Sequence, residues 1–160
     1  MASATPTEMR ASLDNVLQAG IDAATTLLDE LAAERDALHS QDGDALECAA
    51  QQKQICLQEI ETREQERKAL LAKAGFADDR NGMLAMIERC AAGTEIGSQW
   101  QRYLAVAEEC QQANTTNGAI LRLRHQQIAS ALAVLSGCNP TTYGPTGNND
   151  GGGSRALAEA

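Results

Sequence analysis

Aromatic residues are almost missing from this chain of 160 residues: one Phe, one Trp and two Tyr, 2% in all. So few rings exclude a base-stacking platform and argue against the aromatic-lined pocket that most small ligands require. Positive charge is also scarce. Thirteen Lys and Arg stand against 22 Asp and Glu, and the resulting net charge of −9 repels nucleic-acid backbone and anionic lipid alike. No nucleic-acid partner is expected. No apolar run approaches the ~18 residues of a membrane span, so membrane insertion is not expected either. The stretch from Met1 to Arg10 carries neither a basic leader nor an apolar segment, which points to a cytoplasmic protein.

Catalytic and metal-binding patterns are equally lacking. The five cysteines (Cys48, Cys56, Cys90, Cys110, Cys138) are odd in number, form no CxxC pair and have no His cluster beside them. They read as reduced thiols, most of them small packing groups. The two histidines, His39 and His125, sit in no motif of a nucleophile with its base. His125 reads as a core or boundary histidine, and His39 as a cation at a helix C-terminus. Gly151 to Gly153 lacks the Lys and Ser/Thr of a phosphate loop. The chain is expected to be no enzyme, with no cofactor and no metal.

What is abundant is Ala and Leu, in a chain that is 43% apolar, together with Gln and Glu; this composition favours long packed helices. The length suits one cooperative unit. Thr5, Pro6 and Glu8 predict a capped helix start. Leu13, Leu17, Ile21, Ala24, Leu27 or Leu28, Leu31 and Leu38 then recur at three-to-four spacing, one apolar stripe along roughly 50 Å of helix. His39 to Gly43 breaks the pattern, and Asp44 with Glu47 predicts the start of a second helix, carrying Leu46, Ala49, Cys56, Ile60, Leu70 and Leu71. A short connection makes the two antiparallel. Gly75 and Phe76 read as a left-handed stop with a fold-back contact. A short helix is predicted from Asn81 to Ala92, closing at Gly93.

The fourth helix is expected to be the longest. Its inward stripe reads as Trp100, Leu104, Ala107, Gln111, Asn114, Gly118, Leu121, His125, Ile128, Leu132 and Leu135, with Gly137 as the stop. Gln111, Asn114 and Asn117 interrupt it as buried amides that fix register. A second stripe, Ile120, Leu123, Gln127, Ala131 and Val134, lies about 120° round the helix. Either the segment 81–92 or the first helix covers it, or it is a groove for another protein's helix. Residues 8–42 hold eight carboxylates and two arginines, −6 of the net −9, a solvated face or a steering surface for a basic partner. The fold class is therefore all-α: an elongated antiparallel bundle of three long helices and one short, residues 1–136, with a flexible C-terminal tail, residues 137–160, rich in Gly, Asn, Thr and Pro.

The order of these pieces resembles a known family. The long capped helix, LLAKAGF (Leu70 to Phe76), NGAILRLRHQQIASAL (Asn117 to Leu132) and the YGPTG of the tail (Tyr143 to Gly147) together look like the FlgN family of flagellar export chaperones. The resemblance implies a non-enzymatic cytoplasmic chaperone of flagellar type III export. Its clients would be hook-filament junction proteins, whose helical C-terminal ends it masks against premature assembly before delivery to the export gate. Tyr143 matches the family's C-terminal tyrosine, which the resemblance associates with docking to the cytoplasmic domain of the gate. The expected client-binding residues are Ile120, Leu123, Gln127, Ala131 and Val134, with Leu132 and Leu135 beside them. Another flagellar client, the filament cap or flagellin, and a structural bundle that oligomerises through the second stripe are the alternatives.

Overall fold

The computed structural model describes residues 5–136, and these contain four α-helices and no strand. The helices are α1 (Pro6–Ser40), α2 (Gly43–Ala74), α3 (Arg80–Ala91) and α4 (Ile96–Leu135). The chain divides into two compact units, Met1–Leu123 and Arg124–Ala160. The expected tail, 137–160, lies outside the described residues.

The first unit is a three-helix bundle closed at one end by α3. Its local signals act as the sequence predicts at the start of α1: Thr5 Oγ1 accepts from Glu8 N–H at 3.3 Å, and the Glu8 carboxylate accepts from Thr5 N–H at 2.9 Å. These two bonds satisfy backbone donors that the helix itself cannot. The bond from the Thr5 backbone, above all, holds the Glu8 carboxyl below the usual carboxylate range. Leu13, Leu17, Ile21, Ala24, Leu27, Leu31 and Leu38 are all buried, the stripe the spacing predicts, with Leu28 half-buried beside it.

The turn into α2 differs from the sequence expectation. Asp42, not Asp44, is the N-cap, accepting from Ala45 N–H at 3.0 Å. The reason lies one residue earlier: Gln41 takes the left-handed conformation, φ 61°, and donates its N–H to no more distant a group than the last turn of α1. The chain thus reverses over Gln41 and Asp42 alone. The other end of α2 follows the prediction. Gly75, φ 78°, donates to Ala72 O at 3.1 Å, and Phe76 donates to Leu71 O at 3.0 Å, so that Phe76 folds back onto the core.

Packing comes in two clusters. The larger joins Leu13 and Leu17 of α1, Leu71 of α2, Met83 and Met86 of α3 and Trp100 of α4. The smaller joins Leu27, Leu31, Cys56 and Cys110. Low residue numbers of α1 meet high ones of α2, so the two are antiparallel; α4 up to Leu123 runs parallel to α1. Asp79 caps α3 through a 2.7 Å bond from Gly82 N–H. At the α3 end Trp100 stacks on Tyr103, centroids 5.7 Å apart, and the Arg67 guanidinium lies 5.8 Å from the Trp100 ring. The Tyr103 hydroxyl donates to Glu64 at 2.6 Å.

Candidate partner-binding surfaces

The inward face of α4 in the first unit sits about one residue earlier than the spacing of large apolar residues predicts. Ile96, Trp100, Cys110 and Asn117 are buried, with Tyr103, Leu104, Val106, Ala113 and Ile120 half-buried. Gln111 and Asn114, expected as buried amides, are exposed, and Ala107 is exposed too. Two small residues explain the displacement. Cys110 and Ala113 let α4 approach α1 closely, and the Cys110 thiol donates to Ala24 O at 3.2 Å. Asn117 is the one member of the expected amide trio that is buried.

Asn117 joins three helices. Its Nδ2 donates to Leu31 O and to Glu34 Oε2, both at 2.8 Å, and Glu34 Oε1 accepts from Lys53 Nζ at 2.6 Å. A carboxylate only 8% exposed thus has a cation and an amide as partners, which a buried charge requires. Around it α2 and α4 part. One cleft of about 310 Å³ is lined by Leu38, Leu46, Asn117, Leu121 and Arg122; a second, of about 180 Å³, by Leu27, Leu31, Leu57 and Cys110. Lys53 and Asn114 line both. Burial raises the Cys56 and Cys110 thiols above the ordinary range, so both are held as neutral packing groups, not nucleophiles.

Beyond Asn117 the expected site residues fall as follows. In the first unit Ile120 is half-buried, while Leu121 and Leu123 are 42% and 59% exposed. In the second unit Gln127, Ile128, Ala131, Leu132, Val134 and Leu135 are exposed. The sequence reading that made Leu121, His125, Ile128, Leu132 and Leu135 an inward stripe is therefore corrected. His125, expected in the core or at its boundary, is exposed. Tyr143 lies outside the described residues.

Of the nine large hydrophobic residues that are exposed among the described residues, four (Ile128, Leu132, Val134 and Leu135) fall within eight residues of the second unit. Such a concentration marks an interaction surface more often than chance exposure does. Among the described residues no group of three or more His, Cys, Asp or Glu could hold a metal ion, and no helix is long and apolar enough to cross a membrane.

Comparison with known proteins gives one family and one related structure. The family model described as FlgN protein matches residues 9–151. The fold is similar to the crystal structure of a Pseudomonas aeruginosa protein assigned to flagella synthesis under the name FlgN, with 29% identity and a TM-score of 0.63 over 76% of this chain and 90% of that one. No curated protein matches at a significant level. A family match running from the first turns of α1 to beyond the end of α4 leaves one conclusion: the chain belongs to the FlgN family.

Proposed function

We propose that this protein is a cytoplasmic, non-enzymatic chaperone of flagellar export that binds the helical C-terminal ends of hook-filament junction proteins. It prevents their premature assembly and delivers them to the cytoplasmic domain of the export gate. Family membership supports the general role. The observation that carries the binding step is the exposed apolar surface of the second unit: Ile128, Leu132 and Leu135 are 60%, 59% and 83% exposed. Their spacing of four and three residues holds them within an arc of about 60° at 100° per residue, the pattern that an amphipathic helix reads.

Burial of three such side chains is worth roughly 4 to 8 kcal/mol gross on area grounds, before the entropy of docking is subtracted. A complex of that order holds in the cytoplasm and still releases at the gate. Ala131, Val134 and Gln127 of the second unit lie beside the stripe, and Ile120 and Leu123 of the first unit are proposed separately as client contacts. Tyr143 is proposed as the gate-docking residue.

The test is capture by the purified protein of C-terminal segments from the hook-filament junction proteins, the filament cap and flagellin of the same genome, compared side by side. Retention of the junction segments alone supports the reading. Retention of only the cap or flagellin segment moves the chaperone to another client, and retention of none removes the function.

A further inference from the structure

We propose that the trench between α2 and α4 of the first unit is a second binding site, which takes an acidic amphipathic helix of about three turns contributed by the client. This rests on the chaperone reading and adds a place and a chemistry to it. The two clefts adjoin at Lys53 and Asn114, which line both, so they lie end to end between α2 and α4. Eleven residues separate Cys110 at one end from Leu121 at the other, roughly 16 Å of helix. The trench walls leave apolar surface in water: Leu57 and Leu121 are 43% and 42% exposed. A segment that buried them would present apolar residues at three-to-four spacing.

Two polar features select the guest further. Asn117 is 3% exposed and its Oδ1 has no donor. The amide cannot be turned to relieve this, because Nδ2 faces two acceptors, Leu31 O and Glu34 Oε2. A buried acceptor without a donor is costly, so a guest carrying a hydrogen-bond donor, such as Gln or Ser, in the middle of its apolar stripe is favoured over a purely apolar one. The second feature is charge. Glu34 and Lys53 neutralise each other at 2.6 Å, and Arg122 on the lip makes no ion pair among the described residues. The Arg122 end of the trench is therefore cationic in a chain of net charge −9. Acidic side chains on the guest complement it, whereas a second copy of this chain would bring −9 against −9.

Titration calorimetry of the full chain with the C-terminal helical segment of a hook-filament junction protein tests this. Leu57→Glu and Arg122→Glu should each weaken binding at least about tenfold with the melting temperature unchanged. Exchange of the segment's Glu residues for Lys should restore binding to Arg122→Glu. If both variants bind as wild type does while Leu132→Glu loses the segment, the trench proposal falls and the chaperone reading stands. If the wild type binds no flagellar segment, the chaperone reading falls, and a designed peptide of roughly 14 residues decides the trench by itself. That peptide has leucines at its second, fifth and twelfth positions, a glutamine at its ninth, within the stripe, and glutamates elsewhere. Binding that Leu57→Glu abolishes supports the site; no binding overturns it. A mass of two chains that Leu57→Glu reduces to one would make the occupant a second copy and also overturn it.

Discussion

The Asn117 side chain donates to the main-chain carbonyl of Leu31 at 2.8 Å across 86 residues, and the Cys110 thiol donates to Ala24 O across the same 86. Two side chains two turns apart on α4 thus meet two carbonyls two turns apart on α1, and the equal offset fixes the register of the parallel pair. A slip by one turn would leave the Asn117 amide and the Glu34 carboxylate buried without each other, at a cost of a few kcal/mol. Asn117→Asp converts the donor into a carboxylate facing Leu31 O and Glu34. Like charges in a buried site should destabilise the fold by about 3 kcal/mol or more. Adding Glu34→Gln should recover part of the loss, since the new amide can donate. Urea unfolding of the single and double variants measures both, and a fully stable Asn117→Asp would refute the register argument.

Gly82 is the second position where a small change has a definite sign. Glycine inside a helix ordinarily costs about 1 kcal/mol relative to alanine, so Gly82→Ala should stabilise α3 on propensity alone. Here a Cβ would stand 2.0 Å from Ala77 O. That oxygen belongs to backbone, not to a side chain that could swing away. The substitution must therefore push the 77–79 segment off the helix start and disturb the Asp79 cap, along with Met83 and Met86, both fully buried. The expected outcome is a loss of roughly 2 kcal/mol or more, read as a lower urea midpoint. A gain in stability would show that the segment yields freely.

Only some of this was legible in the sequence. The cap at Thr5 and Glu8, the α1 stripe and the stop at Gly75 are local: each depends on side chains within a turn of the backbone they satisfy, and each stands where expected. The register of α4 is not local. Large apolar residues point to Leu104, which does pack on the core, and then to Leu121, which is exposed; close approach to α1 is governed by Cys110 and Ala113, which a reading by hydrophobic size undervalues. Asn117 reads as a buried amide together with Gln111 and Asn114; nothing short of the partner carbonyl at Leu31 separates the three. Gln41 carries no signal for a left-handed residue, a role usually filled by Gly or Asn, and for that reason the sequence points to an α2 cap at Asp44, two residues after the observed Asp42.

Tyr103 makes the stability pH-dependent on the alkaline side. Burial, above all, and then the hydrogen bond to Glu64 push its phenol well above the ordinary tyrosine value. The folded protein therefore holds this proton where the unfolded chain releases it. Such a group contributes its full stability below the unfolded value, about 10, and loses it as pH rises through the folded one. The raised Cys56 and Cys110 thiols act in the same direction from a lower pH, about 8.5. Stability should fall from about pH 9 upward, and Tyr103→Phe should flatten the part above pH 10. In Tyr143→Phe, where Tyr103 is the only tyrosine left, phenolate absorbance should rise together with loss of helicity. Phenolate formed while the helices persist would contradict a buried, hydrogen-bonded Tyr103.

The binding surface of the second unit makes the most direct functional prediction. Leu132 is 59% exposed and Leu135 is 83% exposed, so replacing either with Glu adds a charge to a side chain that already stands in water. A charge at such a position changes stability by no more than about 0.5 kcal/mol. Burial against a client helix reverses that tolerance, because a carboxylate carried into an apolar contact without a partner costs several kcal/mol. Leu132→Glu should therefore leave helicity and melting temperature close to wild type and reduce capture of a hook-filament junction segment by about a hundredfold or more. Leu132→Met, which keeps the apolar contact, should bind within a few-fold of wild type. The pair separates surface chemistry from folding. If Leu132→Glu instead unfolds the protein, and capture falls only in proportion to the folded fraction, the stripe is internal packing. Client recognition would then have to lie in the α2 and α4 trench or in residues 137–160.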